Sequence, residues 1–247
     1  YRVWSGTSEI MENYDDFPRT GVYWWRVRCL DEDGNALGVW SEARRMEMPV
    51  DGWETGLFGD SISHGGGHIS YGPADHEFSW LSYLDFPAIN LSMSGDTSET
   101  MLERFEADVL PFHPRYLLIL NGTNSLRAGV SAAEVIADLE ELKARCLANG
   151  IRPIFLTLPP INPENIARAF DEPTADDWQT QFSLVNAFLR TEVHIDVAAA
   201  FSTHPLLPTE LALDGLHEDV IGKQLIAQTV NRAWQEAKQQ ADRLPVQ

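Results

Sequence analysis

The sequence predicts an α/β fold with a parallel, doubly wound sheet, because strand and helix patterns alternate from Asp51 onward. The strand patterns are short apolar runs without polar alternation, as expected when helices cover both faces of a sheet. The 247 residues suffice for one full domain and part of a second. We therefore expect residues 51–247 to form one α/β domain and residues 1–50, which have a different pattern, to form a small preceding β segment.

Five apolar segments predict the strands of the sheet: Glu54–Phe58, Ala88–Leu91, Tyr116–Asn121, Pro153–Leu158 and Val193–Val197. Helical periodicity predicts four main helices, over Ser98–Val109, from Ser131 until Gly150 stops the helix, over Asp177–Arg190 and over Asp219–Ala241. The clearest helix begins with the capping box of Ser131 and Glu134. In such sheets ligands bind at the carboxyl ends of the strands, so residues that directly follow strands are the first candidates for a site.

The N-terminal fifty residues predict a β-hairpin. Alternation with period two runs from Val22 to Leu30, a turn cluster follows, and 39–48 extends again. The pair resembles the last strands of a fibronectin-type-III-like sandwich, although a complete sandwich needs about seven strands. Its aromatic residues Trp24, Trp25 and Trp40 either pack in a core or stack on sugar rings.

Composition excludes several classes of partner. There are 18 basic and 37 acidic residues, so the net charge of −19 disfavours nucleic acid and anionic lipid. No stretch approaches the roughly 20 apolar residues of a membrane span. The two cysteines form no CxxC motif, and the sequence leaves the compartment and the oligomeric state open.

Four motifs follow predicted strands or lie near the C-terminus, and they share residue types used in acyl transfer. They are Gly59-Asp60-Ser61, the loop around Gly95, Asn121-Gly122-Thr123-Asn124 and Asp214-Gly215-Leu216-His217. A serine hydroxyl attacks a carbonyl only with a base in hydrogen-bond reach and a third group that orients the base. Ser61, His217 and Asp214 have these types. The backbone N–H groups of Ser61 and Gly95 and the Asn124 side chain can serve as oxyanion donors.

With these residues in this order, the chain resembles the SGNH hydrolases, also called GDSL esterases or lipases, over about residues 52–241. The resemblance implies that Ser61 is the nucleophile, His217 the general base and Asp214 its orienting acid. It also implies a three-layer α/β/α flavodoxin-like sandwich with a five-stranded parallel sheet, and an oxyanion hole that includes Gly95 and Asn124. No metal or organic cofactor is expected.

The substrate is predicted less directly. We expect a serine esterase of short-chain acyl esters, acetyl above all, on a small molecule or a saccharide. An acyltransferase with the same triad and an inactive carbohydrate-binding module are the alternatives. His68, Tyr71 and Trp80 follow the nucleophile loop and are candidate pocket residues, with core packing as the competing interpretation.

Two further alternatives concern acids and metals. Asp196, at a predicted strand end, is a reserve candidate for the acidic member of the triad. His64 and His68 resemble a metal pair, but the three glycines between them break the helix that an HExxH site needs.

Overall fold

The computed structural model describes residues 20–47, 49–67 and 76–246. Its first part is the predicted hairpin. Strand β1 (Val22–Trp25) pairs antiparallel with β4 (Arg44–Glu47), and β2 (Cys29–Leu30) pairs with β3 (Ala36–Leu37).

The hairpin leaves its indole rings at the surface of the described chain. Trp24 is 66% exposed and Trp25 is 51% exposed. Trp40 is covered in part, because the guanidinium groups of Arg26 and Arg28 lie 4.6 and 4.5 Å from its ring centroid. A sugar would therefore compete with two cations for the Trp40 ring, whereas Trp24 and Trp25 are accessible.

A five-stranded parallel sheet forms the centre of the α/β part. Its strands are β5 (Thr55–Gly59), β6 (Ile89–Asn90), β7 (Tyr116–Leu120), β8 (Arg152–Leu156) and β9 (His194–Ile195). They lie in the order β6-β5-β7-β8-β9, which is the 2-1-3-4-5 order of flavodoxin-like folds. The fold-class prediction is confirmed, and all five predicted strands are present, although β6 and β9 have only two residues each.

Seven α-helices accompany the sheet in the described residues: α1 (Ser61–His64), α2 (Ser98–Asp108), α3 (Thr123–Arg127), α4 (Ala132–Ala148), α5 (Pro163–Ala169), α6 (Trp178–Leu189) and α7 (Val220–Ala241). Helices α2, α4 and α6 pack against one another in one layer. Helix α7 packs on β8, β9 and the short 3₁₀ turn at Trp80–Tyr83 in the other layer. Of these helices, α2, α4, α6 and α7 are the four that the sequence predicts.

Local side-chain bonds explain where two of these helices begin. At α4 the predicted capping box is present, because Ser131 accepts from the Glu134 N–H and Glu134 accepts from the Ser131 N–H. At α2 the sequence Asp96-Thr97-Ser98-Glu99 resembles a second capping box, but this interpretation is wrong by one residue. Thr97 caps the helix and pairs with Thr100 instead.

The core is one continuous cluster of apolar side chains around the sheet. All five residues of β5 and all five of β7 are buried. Gly59 lies opposite Leu120 at the end of these two strands, and a Cβ on Gly59 would come within 2.5 Å of the Leu120 carbonyl oxygen. Only glycine therefore lets the two strands end side by side. Among the described residues, no helix is both long and apolar enough to cross a membrane.

Candidate active site

Three of the predicted motifs lie at the carboxyl ends of neighbouring strands of the sheet. Ser61 follows β5, Gly95 follows β6, and Asn124 follows β7. Strands β5 and β7 are neighbours. From β5 the chain continues to β6 on one side of the pair, and from β7 it continues to β8 on the other side. Such a reversal in strand order opens a crevice at the carboxyl edge, which is where α/β sheets bind their ligands.

The turn after β5 presents the Ser61 hydroxyl. Asp60 has an extended backbone and caps α1, with its Oδ1 accepting from the Ile62 N–H at 3.0 Å. Ser61 is thus the first residue of a four-residue helix and is half-buried. Its own N–H lies at the helix start, where backbone donors have no partner within the helix.

His217 lies between Ser61 and Asp214. Its Nδ1 is 2.8 Å from Asp214 Oδ2, and its Nε2 is 2.8 Å from Ser61 Oγ. When Nδ1 donates its proton to the carboxylate, Nε2 presents a lone pair that accepts from the Ser61 hydroxyl. The structure therefore brings together the three side chains that the sequence predicted as a catalytic group.

The Asp214 carboxylate is held by its own turn. Oδ1 accepts from the N–H groups of Leu216 and His217, each at 2.8 Å. Burial acts to raise the pKa of Asp214, but the hydrogen bond and the charge of His217, together with the two backbone donors, hold this pKa below its ordinary value. Asp214 is thus ionised at neutral pH and can stabilise a positive imidazole.

Gly215 makes this turn possible. Its φ is +80°, and a Cβ there would lie 2.4 Å from the Asn162 carbonyl oxygen. The Gly215 carbonyl in turn accepts from the Asn162 N–H at 2.8 Å, just before α5. A side chain at this position is excluded both by conformation and by space.

The oxyanion donors predicted from the sequence lie in two loops that bond to each other. The Asn124 side-chain amide donates to the Asp96 carbonyl oxygen at 2.9 Å and has a second N–H for another acceptor. Gly95, just before Asp96, is exposed, and its N–H donates no hydrogen bond within the described residues. Asn124 and Gly95 can therefore face one oxyanion from adjacent positions.

Arg104, which the sequence analysis missed, anchors the Gly95 loop. Its guanidinium forms an ion pair with the carboxylate of Asp96 and another, at 2.9 Å, with that of Asp108. It also donates to the Leu91 carbonyl oxygen at 2.8 Å and lies over the Phe58 ring. The spacing of Arg104 and Asp108, four residues apart on α2, was the only signal in the sequence.

A second missed group is a set of three buried ionisable side chains behind the triad: Asp60, Glu218 and Lys223. Lys223 Nζ donates to the Ile62 carbonyl oxygen at 2.7 Å and lies 3.6 Å from Glu218 Oε2. Burial raises the pKa of Asp60 to about 7, raises that of Glu218 and lowers that of Lys223. Asp60 Oδ2 has no hydrogen-bond partner within the described residues. Asp60 directly precedes Ser61, and Glu218 directly follows His217.

Phe170 contacts His217, and Arg127 in turn contacts Phe170. The Phe170 ring meets the imidazole edge-on, with centroids 5.8 Å apart. The Arg127 guanidinium lies 5.9 Å from the centroid of the same Phe170 ring. Neither residue was predicted, because an arginine at the end of α3 and a phenylalanine just after α5 form no motif.

Three residues were predicted to line a substrate pocket: His68, Tyr71 and Trp80. His68 and Tyr71 lie outside the described residues. Trp80 is 0% exposed and belongs to the hydrophobic core, so the prediction that it lines a pocket is wrong, and core packing is the correct interpretation. The indole is the largest of the fully buried side chains, and it provides no surface for a substrate.

The reserve acid Asp196 and the histidine His64 have other partners. Asp196 accepts a hydrogen bond from Thr157 at 2.8 Å and forms an ion pair with Arg190. Its carboxylate therefore binds residues near the end of β9, and His217 is paired with Asp214 instead. His64 Nδ1 lies 2.9 Å from Ser94 Oγ, beside the Gly95 loop. Within the part of the chain that the structure describes, no cluster of three potential metal ligands occurs.

The sequence also matches the model of a known protein family. The model of the GDSL-like lipase/acylhydrolase family matches residues 57–225, which is more than half of the chain. The chain belongs to this family. It is accordingly a carboxylic ester hydrolase of the GDSL type, and the match includes Ser61, Gly95, Asn124, Asp214 and His217.

Solved structures share the fold of this GDSL hydrolase. A lipase/acylhydrolase from Enterococcus faecalis is 22% identical with a TM-score of 0.59, covering 79% of this chain and 99% of that one. A GDSL-like lipase from Bacteroides thetaiotaomicron is 18% identical with a TM-score of 0.56, covering 74% and 88%. An acetylxylan esterase from Geobacillus stearothermophilus is 22% identical with a TM-score of 0.55, covering 81% and 99%. A search of curated proteins found no match.

Proposed function

We propose that this GDSL hydrolase is a serine esterase that forms an acyl-enzyme on Ser61, with His217 as general base and Asp214 as its orienting acid. The observation that supports this best is the pair of 2.8 Å contacts on the two nitrogens of His217. A nucleophile and a base within hydrogen-bond distance, with the base oriented by a third group, form the arrangement that acyl transfer requires.

The first half of the reaction acylates the enzyme. Ser61 Oγ bonds to the ester carbonyl carbon while its proton passes to His217 Nε2, and the carbonyl oxygen becomes an oxyanion. The tetrahedral adduct then collapses, the bond to the alcohol oxygen breaks, and His217 returns the proton to that oxygen. Asp214 stabilises the imidazolium that exists between these two steps.

The second half releases the acid. A water molecule gives a proton to His217 Nε2 and attacks the acyl carbon, and the bond to Ser61 Oγ then breaks as Nε2 returns the proton. In both halves the oxyanion needs fixed donors. The backbone N–H groups of Ser61 and Gly95 and the Asn124 amide fill this role in the proposal.

For the substrate we propose short acyl groups, acetyl above all, carried by a saccharide. The sequence contains no long apolar run that would form a lid for a lipid chain. Among proteins with this fold, the Geobacillus stearothermophilus enzyme is an acetylxylan esterase. The exposed Trp24 and Trp25 of the hairpin offer flat aromatic surfaces of the kind that sugars stack on.

The nucleophile is tested by Ser61→Ala, with Ser183→Ala as the control, because Ser183 is an exposed serine on α6. The kcat for p-nitrophenyl acetate should fall by about 10⁶-fold in Ser61→Ala and stay unchanged in Ser183→Ala. Circular dichroism and thermal unfolding show whether both variants remain folded. Turnover by folded Ser61→Ala within tenfold of the wild type would exclude Ser61 as the nucleophile.

The acyl and alcohol preferences need a separate measurement. A series of p-nitrophenyl esters from acetate to decanoate should show kcat/KM highest at acetate and falling with chain length. Acetylated xylo-oligosaccharides should release acetate with a higher kcat/KM than p-nitrophenyl acetate. A maximum at eight or more carbons would contradict the substrate proposal and leave the triad untouched.

A further inference from the structure

Arg127 is a partly buried cation that has no anionic partner among the described residues. It is the last residue of α3, and its Nε is buried without a hydrogen-bond partner within the described residues. No carboxylate of those residues forms an ion pair with it. Burial lowers the pKa of Arg127, while the charges of Glu172 and Asp214 act from a distance to raise it.

Arg104 provides the comparison within the same molecule. It is also largely buried, but two carboxylates, Asp96 and Asp108, neutralise it. Taking a guanidinium out of water without a counter-ion costs free energy, which a bound anion would recover. The chain has a net charge of −19, so acidic residues are abundant, yet none of the described ones forms an ion pair with Arg127.

The position of Arg127 connects it to the catalytic group. Asn124 and Arg127 are three residues apart on α3, and residues at this spacing lie on the same face of a helix. Arg127 also lies over Phe170, and Phe170 meets His217 edge-on. The guanidinium thus contacts the aromatic ring, and the aromatic ring contacts the imidazole.

We propose that Arg127 binds a carboxylate of the substrate, so that the enzyme prefers esters that carry an acidic group near the scissile bond. The proposal rests on the esterase function above and narrows its substrate class. A guanidinium binds a carboxylate through two parallel hydrogen bonds, which fixes orientation as well as charge. Phe170 provides an apolar surface for the part of the substrate between the carboxylate and the ester.

Two matched substrate pairs test this, one for each side of the ester. On the alcohol side, 4-acetoxybenzoate is compared with the neutral 4-acetoxybenzamide. On the acyl side, monoethyl succinate is compared with the neutral ethyl succinamate. The variants are Arg127→Gln and Arg127→Lys, with Arg232→Gln as a control that removes one exposed arginine charge from α7.

In at least one pair the wild type should prefer the anionic ester. In that pair, Arg127→Gln should raise the KM of the anionic ester by about 10-fold or more. The kcat for the anionic ester, and the kcat and KM for the neutral ester, should stay within about threefold of the wild-type values. Arg127→Lys should recover part of the loss, because lysine restores the charge without the two-bond geometry. Added salt should weaken the preference of the wild type, and Arg232→Gln should behave as the wild type.

The outcomes separate this inference from the proposed function. If Arg127→Gln changes both members of each pair equally, or changes neither, Arg127 does not bind a substrate carboxylate, and the esterase proposal stands. A general loss of activity together with a lower thermal midpoint would likewise show a structural role. If the folded wild type hydrolyses none of the four esters and no p-nitrophenyl ester, the proposed function itself fails.

Discussion

Lys223 Nζ donates a 2.7 Å hydrogen bond to the carbonyl oxygen of Ile62, the residue that follows Ser61. The same ammonium group lies 3.6 Å from Glu218, the residue that follows His217. One fully buried lysine on α7 therefore ties together the two chain segments that carry the proposed nucleophile and base.

Lys223→Met should destabilise the protein strongly. The substitution keeps most of the volume but leaves the Asp60 and Glu218 carboxyl groups buried without a cation, which typically costs about 3 to 5 kcal/mol. Urea unfolding measures this loss. The double variant Glu218→Gln, Lys223→Met should be more stable than Lys223→Met alone, because it removes one of the unbalanced acids. A loss below about 1 kcal/mol in the single variant would mean that the lysine charge has no structural role.

Asp60 should make the stability of the protein depend on pH. Burial raises its pKa to about 7 from 3.8, so the folded protein retains a proton there that the unfolded chain releases. The stability that Asp60 contributes is complete below about pH 4 and is lost as the pH rises through about 7. The slope is at most about 1.4 kcal/mol per pH unit for one proton.

Asp60→Asn isolates this contribution, because the amide oxygen can still accept from the Ile62 N–H while no proton is exchanged. The free energy of unfolding of the wild type, relative to this variant, should fall between pH 4 and pH 8. Urea titrations at several pH values measure the difference. Parallel stability curves for the two proteins would contradict the raised pKa.

Asn124→Ala should slow the chemical step. Losing one oxyanion donor costs about 10² to 10³ in kcat, and KM should stay within about threefold because the donor acts on charge that develops in the transition state. Asn149→Ala, at the exposed C-terminal end of α4, is the matched control. Steady-state kinetics with p-nitrophenyl acetate measure both. A KM increase with unchanged kcat would assign Asn124 to substrate binding instead.

Gly215→Ala should reduce both stability and activity. The added methyl group would meet the Asn162 carbonyl oxygen at 2.4 Å and needs a φ of +80°, so the turn between Asp214 and His217 must shift. Gly34→Ala is the control, since Gly34 has a φ of +81° but nothing within 4 Å of the new methyl group. We expect about 1 kcal/mol of strain in the control and a larger loss, with kcat reduced, in Gly215→Ala. Equal losses in thermal unfolding would show that the close contact is relieved without cost.

The parts of the fold that the sequence predicted are those with strong local signals. Strands β5, β7 and β8 are continuous apolar runs, and α4 has both a capping box and a stop at Gly150. The contact of Ser61 and Asp214 with His217 was predictable for a different reason. Asp214 and His217 are close in sequence, and Ser61 directly follows a clearly predicted strand. These positions indicated that the three side chains could lie close together.

What the sequence did not predict depends on contacts between distant segments. Helices α1, α3 and α5 have seven residues or fewer, which is too short for periodicity to identify. Thr97 caps α2 in place of Asp96, because the Asp96 carboxylate accepts a hydrogen bond from Arg104, which lies further along the same helix. The burial of Trp80 likewise follows from tertiary packing. Lys223 lies on the buried face of α7 with Ile226 and Val230, but a lysine there gives no indication of burial.

The two side chains joined by the Ser61 to His217 contact are 156 positions apart in the chain. In the proposed mechanism Ser61 therefore depends on a base that is synthesised much later, and a hydroxyl without its base is a poor nucleophile. A chain that ended before the segment 214–217 would carry the serine without its base, so we expect such a chain to transfer no acyl group.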